Sequence, residues 1–163
     1  MKQLFQTAVI TVSDGCARGV RQDLSGPAVV AALRAAGFAV KATAVVADKI
    51  DDITEALRTH AATAALVVTT GGTGVAARDV TPEATRLVCE RLVEGIAERM
   101  RAEGVKETPM AVLSRGVCGS LGKTLILNLP GSPRGAVTSL SAVIGILPHA
   151  LDLLAGRTEH GDA

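Results

Sequence analysis

The chain of 163 residues carries a net charge of +1, is 48% hydrophobic, and contains two Phe but neither Tyr nor Trp. Such a chain lacks the basic, aromatic surface that binds nucleic acid, and none of its apolar runs reaches the roughly 20 residues that cross a bilayer. Its length and aliphatic composition predict one α/β domain over residues 1–156, with a polar tail at residues 157–163.

The first half of the chain alternates predicted strands with predicted helices. Apolar or alternating runs predict three strands, at Leu4–Ser13, Phe38–Ala47 and Ala64–Thr70. The first helix begins at Ser25 and ends at Gly37. The second follows Asp48, with one apolar stripe made by Ile50, Ile53 and Leu57.

The second half opens with a helix for which Thr81 is the predicted N-cap and Pro82 the first helical residue. A short helix over Glu94–Glu103 follows and ends at a glycine. The sequence leaves the type of the next apolar element, Met110–Leu113, open.

The last part of the chain combines a turn, a strand and a helix. Three glycines at 116–122 predict a turn or a hairpin, and Thr124–Leu129 is a predicted strand. Ser132 and Pro133 cap and begin a final helix, which Pro148 should kink or divide.

Each predicted strand of the sheet ends in polar or glycine-rich residues. These ends are Ser13-Asp14, Asp48, Thr70–Gly74 and Asn128–Ser132. In an open α/β sheet, ligands bind outside the carboxyl ends of the strands. The sequence therefore predicts one composite site along this edge.

The stretch Thr69–Gly74 joins a buried strand to the helix at Thr81 and contains three glycines and three hydroxyl side chains. Glycine lets backbone N–H groups approach a phosphate, and the positive end of the following helix favours its charge. The loop matches neither the Walker A nor the Gly-x-Gly-x-x-Gly pattern, and a tight turn is the alternative interpretation. The predicted phosphate-binding residues are Thr70, Gly71, Gly72, Thr73 and Gly74.

Two aspartates are candidates for the chemistry. Asp79 lies outside the predicted helix cap beside Arg78, where a carboxylate suits a Mg²⁺-nucleotide site, and an ion pair within the loop is the alternative. Asp48 directly precedes a helix, so its carboxylate could cap the N–H of Ile50 or Asp51, and a cap can also reach a ligand.

Other polar residues also allow two interpretations. Beside the glycine-rich turn, three residues are either surface groups or phosphate anchors, namely Ser114, Arg115 and Lys123. The histidines and cysteines show no zinc-ligand spacing: His60, His149, His160, Cys16, Cys89 and Cys118. An odd number of widely spaced cysteines and the lack of a signal-peptide pattern predict reduced thiols in a cytoplasmic protein.

The motifs together resemble one family. Thr-Thr-Gly-Gly-Thr-Gly at 69–74, Arg-Asp-Val-Thr-Pro-Glu-Ala-Thr at 78–85 and Leu-Pro-Gly-Ser-Pro at 129–133 resemble the MogA/MoaB family of molybdenum-cofactor biosynthesis. The same fold forms the G domains of gephyrin and of the plant Cnx proteins. The resemblance implies a three-layer α/β/α fold with a mostly parallel sheet. It also implies molybdopterin adenylyltransferase activity, in which molybdopterin and Mg-ATP give adenylyl-molybdopterin and pyrophosphate.

The resemblance implies a role for each matching residue. Asp48 and Asp79 match the aspartates implicated in catalysis and in handling Mg²⁺, and residues 71–74 match the nucleotide-phosphate loop. The molybdopterin side of the pocket would contain Ser13, Asp14, Ser114, Arg115, Lys123, Pro130, Gly131, Ser132 and Pro133.

Association with other chains is expected as well. The helix after Pro133 is apolar over more than one stripe, which predicts an interface, whereas burial within one subunit is the alternative. The residues concerned are Ala136, Val137, Leu140, Val143, Ile144 and Leu147. The resemblance implies a homotrimer, or a hexamer as in some MoaB-type members, and a molybdenum insertase as partner.

Two other functions remain open at this point. A non-catalytic molybdopterin carrier or scaffold would need the phosphate loops but no pair of metal-holding aspartates. An unrelated nucleotide-binding regulatory module would leave the loop at 130–133 without a role.

Overall fold

The computed structural model describes residues 4–157, which form a six-stranded sheet covered by helices on both faces. The strands are β1 (Gln6–Val12), β2 (Ala39–Val46), β3 (Leu66–Thr70), β4 (Arg91–Leu92), β5 (Cys118–Leu121) and β6 (Thr124–Leu129). Their order is β2-β1-β3-β6-β5-β4. The first four in this order are parallel, and β5 runs antiparallel to both of its neighbours. This is the predicted three-layer, mostly parallel α/β/α architecture.

Seven α-helices and one 3₁₀ helix occur within the described residues. They are α1 (Asp14–Ala17), α2 (Ser25–Ala35), α3 (Ile50–Ala61), α4 (Thr81–Val88), α5 (Glu94–Gly104), the 3₁₀ helix (Pro109–Leu113), α6 (Pro133–Val143) and α7 (Leu147–Leu154). The predicted strands and long helices are confirmed, and the undecided element at 110–113 belongs to the 3₁₀ helix. The two-residue strand β4 was not predicted, because two residues carry no periodicity.

Alternating side chains of the central strands divide the core into two parts. Leu66 and Val68 of β3 pack on the face covered by α2, α5, α6 and α7, whereas Val67 packs on the face covered by α3 and α4. Successive strand residues point to opposite faces, so a strand in a sheet covered on both faces is buried along its whole length. All five residues of β3 are accordingly buried.

The last predicted helix is divided as expected. α6 ends at Val143 and α7 begins at Leu147, with a bend of 65° between them. Pro148 lies in the first turn of α7, where its missing N–H costs no helical hydrogen bond. Within residues 4–157 no single helix is long and apolar enough to cross a membrane, and only this bent pair reaches that length together.

The helix after Pro133 was predicted to expose its excess apolar residues at an interface. This premise is wrong, because these residues do not form an exposed face. Four of its six apolar residues are buried, and Val137 and Ile144 are partly buried. The second, strongly bent helix explains the surplus, because both helices contribute to the same core cluster. The predicted polar tail lies outside the described residues, except for Arg157, which pairs with Asp152 at 2.7 Å.

Candidate active site

The polar strand ends meet at one edge of the sheet, as predicted. Val12 of β1 pairs with Val46 of β2, and Thr70 of β3 pairs with Leu129 of β6. Thr11 and Thr70 are also partners, so the four parallel strands end nearly level with one another. The loops that follow them are therefore neighbours, although they are as far as 117 positions apart in the chain (residues 13 and 130).

The glycine loop, residues 71–74, requires glycine at its first two positions. Gly71 and Gly72 have φ angles of +103° and +67°, which side-chain-bearing residues rarely adopt. A Cβ atom on Gly71 would lie 2.3 Å from the carbonyl oxygen of Val12. The loop is thus pressed against the end of β1.

Thr81 holds this loop and is not an N-cap, so the predicted cap is wrong. α4 begins at Thr81 and is preceded by Val80, whose side chain makes no capping bond. The Thr81 hydroxyl donates to Gly71 O at 2.9 Å, and the Thr81 backbone N–H donates to Gly72 O at 3.1 Å. Two loop carbonyls are therefore directed towards α4.

The loop N–H groups are left available by this arrangement. Within residues 4–157, the N–H groups of Gly72, Thr73 and Gly74 donate to no protein atom. Consecutive unbonded backbone N–H groups form a concave anion site. The structure supports the phosphate-binding interpretation over a simple tight turn.

Asp14 and Asp48 form a reciprocal pair, which we call the acid pair. The Asp14 N–H donates to Asp48 Oδ2, and the Asp48 N–H donates to Asp14 Oδ1, both at 2.8 Å. Arg78 Nη2 lies 2.9 Å from Asp14 Oδ2 and 3.6 Å from Asp48 Oδ2. The Asp48 side chain is only 7% exposed. One cation thus faces two carboxylates.

The alternative in which Asp48 caps α3 is wrong. α3 begins at Ile50, the preceding residue is Lys49, and no side chain makes a capping hydrogen bond. The Asp48 carboxylate instead binds the N–H of Asp14, the first residue of α1, which follows β1. Ile50 is 37% exposed, so only Ile53 and Leu57 of its predicted stripe are buried.

Asp79 lies in a closed turn. Its Oδ2 accepts from Ala76 N at 3.0 Å, and its own N–H donates to Ala76 O at 2.9 Å. A Cβ on Gly74 would lie 2.8 Å from Asp79 Oδ2, so the carboxylate sits directly against the glycine loop.

Asp48 and Asp79 could hold Mg²⁺ only if a bound substrate supplied further oxygen ligands. Within residues 4–157, no three His, Cys, Asp or Glu side chains are grouped to hold a metal ion. Asp48 and Asp79 each keep one carboxylate oxygen free of hydrogen bonds from the described residues. Mg²⁺ is commonly held by one or two carboxylates together with substrate phosphates. The pair fits that type of site.

Two clefts open on this edge and share a junction. The β1 cleft, of about 620 Å³, is lined by Ser13, Asp48, Thr70, Gly71, Arg78 and Pro133, among others. The α5 cleft, of about 520 Å³, is lined by Thr73, Gly74, Met100, Arg101, Ser114 and Pro130, among others. The residues common to both are Gly72, Asp79, Gly131 and Ser132.

The junction is narrow because the two glycine-containing loops touch. A Cβ on Gly131 would lie 3.3 Å from Gly71 Cα. Ser132 caps α6 as predicted, since its Oγ accepts from Gly135 N at 3.1 Å. The predicted molybdopterin residues are thus divided between the clefts: Ser13 lies in one and Ser114 in the other.

Lys123 is placed differently from the expectation. It lies at the turn between β5 and β6, where it lines a pocket with Leu4 and Arg58 at the opposite edge of the sheet. Lys123 was expected on the molybdopterin side of the pocket, together with Ser114 and Arg115, and this location is wrong. Lys123 precedes β6, and β6 crosses the whole sheet before its carboxyl end reaches the site.

Arg115 is near the site, but its side chain is bound to the protein. Its guanidinium donates to the carbonyl oxygens of Gly74 and Asp79, both at 2.7 Å, and pairs with Glu83. The hydrogen bond from Arg115 lowers the pKa of Glu83 and raises the pKa of Arg115 itself. This arrangement does not fit the predicted free phosphate anchor.

Asn128 was predicted only as part of a polar strand end, and Arg101 was not predicted as a site-supporting residue. The buried amide of Asn128 donates to Thr69 and Thr85 Oγ1, both at 3.0 Å, and its Oδ1 accepts from Val117 N at 3.2 Å. A single amide within the apolar run of β6 was a usable signal. Arg101 had none, since it lies on the polar face of a helix.

Gly72→Val is expected to abolish ATP binding and to destabilise the fold. A Cβ at this position would lie 2.3 Å from Thr81 Oγ1 and 3.2 Å from Asp48 Oδ1. The positive φ adds strain of about 1–3 kcal/mol. Calorimetry with ATP and thermal unfolding measure the two effects.

Gly37→Val is the matched control for Gly72→Val. Gly37 also has a positive φ, of +87°, but nothing lies within 4 Å of an added Cβ. It should lose stability and keep ATP affinity. Unchanged ATP affinity in a folded Gly72→Val protein would refute the phosphate role of the loop.

Comparisons with known proteins agree with this geometry. A family model described as "probable molybdopterin binding domain" matches residues 8–149. A molybdopterin adenylyltransferase of Helicobacter pylori is 40% identical over 162 residues, covering 95% of this chain and 90% of the relative.

A solved structure and a longer relative extend the comparison. The molybdopterin biosynthesis enzyme MoaB from Thermus thermophilus is 50% identical, with a TM-score of 0.89, and covers 94% of this chain and 98% of that chain. A molybdenum cofactor biosynthesis bifunctional protein of Synechococcus elongatus is 38% identical over 94% of this chain but only 48% of the relative.

Proposed function

This chain belongs to the molybdopterin-binding domain family, which confirms the resemblance in its motifs, and we propose on this premise that it is a molybdopterin adenylyltransferase. A phosphate oxygen of molybdopterin attacks the α-phosphorus of ATP. The bond from that phosphorus to the bridging oxygen of the β-phosphate breaks. Adenylyl-molybdopterin and pyrophosphate are the products, which places the chain in molybdenum-cofactor biosynthesis.

The observation that carries the proposal is the junction of the two clefts. A transfer between two large substrates needs two binding clefts that open on one reaction point. The residues that line both the β1 cleft and the α5 cleft are Gly72, Asp79, Gly131 and Ser132. Each cleft would hold one substrate, with the reacting phosphates at these residues.

This chemistry requires no general base or nucleophilic side chain. The attacking phosphate is already anionic, so catalysis consists of positioning and charge neutralisation. The free N–H groups of the glycine loop would bind developing negative charge, as would Arg78, whose side chain is 60% exposed. Asp48 and Asp79 would hold the Mg²⁺ that arrives with ATP, and that ion would neutralise phosphate charge.

The direct test is incubation of the chain with molybdopterin, ATP and Mg²⁺, followed by detection of AMP-linked pterin and pyrophosphate. Formation of both in equal amounts is expected. Binding of molybdopterin without product would instead indicate the carrier or scaffold function. Two carboxylates, Asp79 at the junction and Asp48 in the β1 cleft, favour the enzyme, because a carrier has no need of them.

A homo-oligomer, specifically a trimer, is also proposed. The resemblance supports the number three, with a hexamer as its doubled form. Exposed apolar residues support association at a different place from the helix after Pro133. They cluster along and just before the 3₁₀ helix: Val105, Met110, Val112 and Leu113, which are 39–64% exposed.

Light scattering at micromolar concentration is expected to give a mass near three times 16.6 kDa. A monomer mass would overturn the proposal of association, and a dimer would overturn its symmetry. Met110→Ser with Val112→Ser should lower the observed mass, because an apolar interface loses free energy for each apolar group removed.

The remaining proposals concern partner and compartment. We infer a molybdenum insertase as the acceptor of the product, supported by the relative named bifunctional, of which this chain matches about half.

The three cysteines are free thiols, and burial raises the pKa of Cys89 to about 11 and that of Cys118 to about 12. The lack of a disulfide among these cysteines supports a reducing compartment such as the cytoplasm.

A further inference from the structure

Arg115 binds the loop that carries Asp79 at four positions. Its backbone N–H donates to Thr73 O at 2.8 Å, and its Nε donates to Gly74 O at 2.7 Å. Its Nη2 donates to Asp79 O at 2.7 Å, and its guanidinium forms an ion pair with Glu83. These contacts span residues 73–83, from the glycine loop to the first turn of α4.

The guanidinium has little capacity left for a substrate. It offers five N–H donors, and the structure uses four of them, in bonds to Gly74, Asp79 and both carboxylate oxygens of Glu83. Glu83 also balances its charge. Bidentate binding of a phosphate needs two free donors, which Arg115 does not have.

Arg101 supports Arg115 from behind. Its Nη1 donates to Gly116 O at 3.0 Å and to Ser114 O at 3.4 Å, the two carbonyls that flank Arg115. Arg101 belongs to α5, whose Ala97 and Met100 are buried in the core. Arg101 thus holds the backbone around Arg115 against α5, and Arg115 in turn binds the loop of Asp79.

Few other contacts determine where Asp79 lies. Residues 74–80 form neither helix nor strand, and Val75–Arg78 is exposed. Apart from Arg115, the bonds of this segment within residues 4–157 are the local turn between Ala76 and Asp79, the ion pair of Arg78 with the acid pair, and the bond from Ala84 N to Val80 O at its junction with α4. The turn fixes the shape of the segment but not its place relative to the clefts.

We propose that Arg115 is a positioning residue that places the Asp79 carboxylate at the junction of the two clefts. This proposal rests on the proposed function, since Asp79 is its catalytic target. Lysine could not replace Arg115, because an ammonium group is a point charge and lacks the planar fork that reaches several acceptors at once. The role also differs from phosphate anchoring, because Arg115 acts through Asp79 and does not bind substrate.

The test compares Arg115→Lys and Arg115→Ala with Arg99→Lys. Arg99 also donates through Nε to a backbone carbonyl, that of Ala142 at 2.9 Å, but it lines neither cleft. Both Arg115 variants should lower kcat about 10²-fold, the size of effect that misplacement by about 1 Å produces. Calorimetric affinities for ATP and molybdopterin should change little, and Arg99→Lys should resemble the wild type.

Chemical rescue separates positioning from general loss of structure. Guanidinium ion added at millimolar concentration should restore part of the kcat of Arg115→Ala and have no such effect on the wild type. A rise in the Kd for molybdopterin of tenfold or more with unchanged kcat would show a phosphate anchor and overturn the proposal.

Backbone hydrogen exchange tests whether Arg115 holds the loop, and this measurement does not depend on the reaction. The backbone N–H groups of Ala76 and Asp79, the two in residues 74–80 that donate hydrogen bonds, should exchange faster in Arg115→Lys than in the wild type or in Arg99→Lys. Unchanged exchange there would overturn the positioning role. If the wild type forms no adenylyl-molybdopterin, the proposed function fails, while this measurement still decides whether Arg115 holds the loop.

Discussion

Asp79→Asn is expected to lower kcat for adenylyl transfer about 10³-fold while molybdopterin still binds. The asparagine oxygen can still accept from Ala76 N, which lies 3.0 Å from Asp79 Oδ2, so the turn should persist. The negative charge at the cleft junction is lost, and with it the proposed hold on Mg²⁺. Pyrophosphate release measures kcat, and calorimetry measures the affinity for molybdopterin.

Asp51→Asn is the matched control for this variant. Asp51 is an exposed carboxylate in the first turn of α3, and it lines neither cleft. The same change of charge there should leave kcat as in the wild type. Comparable turnover in Asp79→Asn and the wild type would remove Asp79 from the catalytic group.

Asp48→Asn should lower kcat about 10²-fold with almost no loss of stability. The amide oxygen of asparagine can replace Asp48 Oδ2 as acceptor for the Asp14 N–H, now at 2.8 Å. The lost charge leaves Arg78 with one carboxylate partner and removes one of the two carboxylates proposed to hold Mg²⁺. Steady-state kinetics and thermal unfolding measure the two effects.

Asp48→Ala separates the structural from the chemical contribution. It removes the acceptor of the Asp14 N–H as well as the charge, and should cost about 1 kcal/mol of stability beyond Asp48→Asn. That cost comes from the contact with Asp14, since Asp48 does not cap α3. If Asp48→Asn keeps full activity, the acid pair serves only to join the two strand ends.

The strands and helices could be predicted because their signals are local. The apolar run before Thr69 and the Ser132-Pro133 pair act within a few residues, through side-chain alternation and capping. The meeting of the strand ends was predictable too, since parallel strands joined by helices place their carboxyl ends at one edge. Local signals failed at Thr81, which is already the first residue of α4 and whose hydroxyl donates to Gly71 O and accepts no helix N–H.

The sequence by itself thus determined the α/β architecture and the family, and it singled out the glycine loop, Asp48 and Asp79 as candidates for the site. The tertiary structure alone decided which side chains meet. Asp14 binds Asp48 across 34 residues, Arg115 binds Asp79 across 36, and Lys123 lies at the far edge. The physical reason is that such contacts depend on strand order and register. These follow from packing the whole core and leave no pattern in the residues around any one partner.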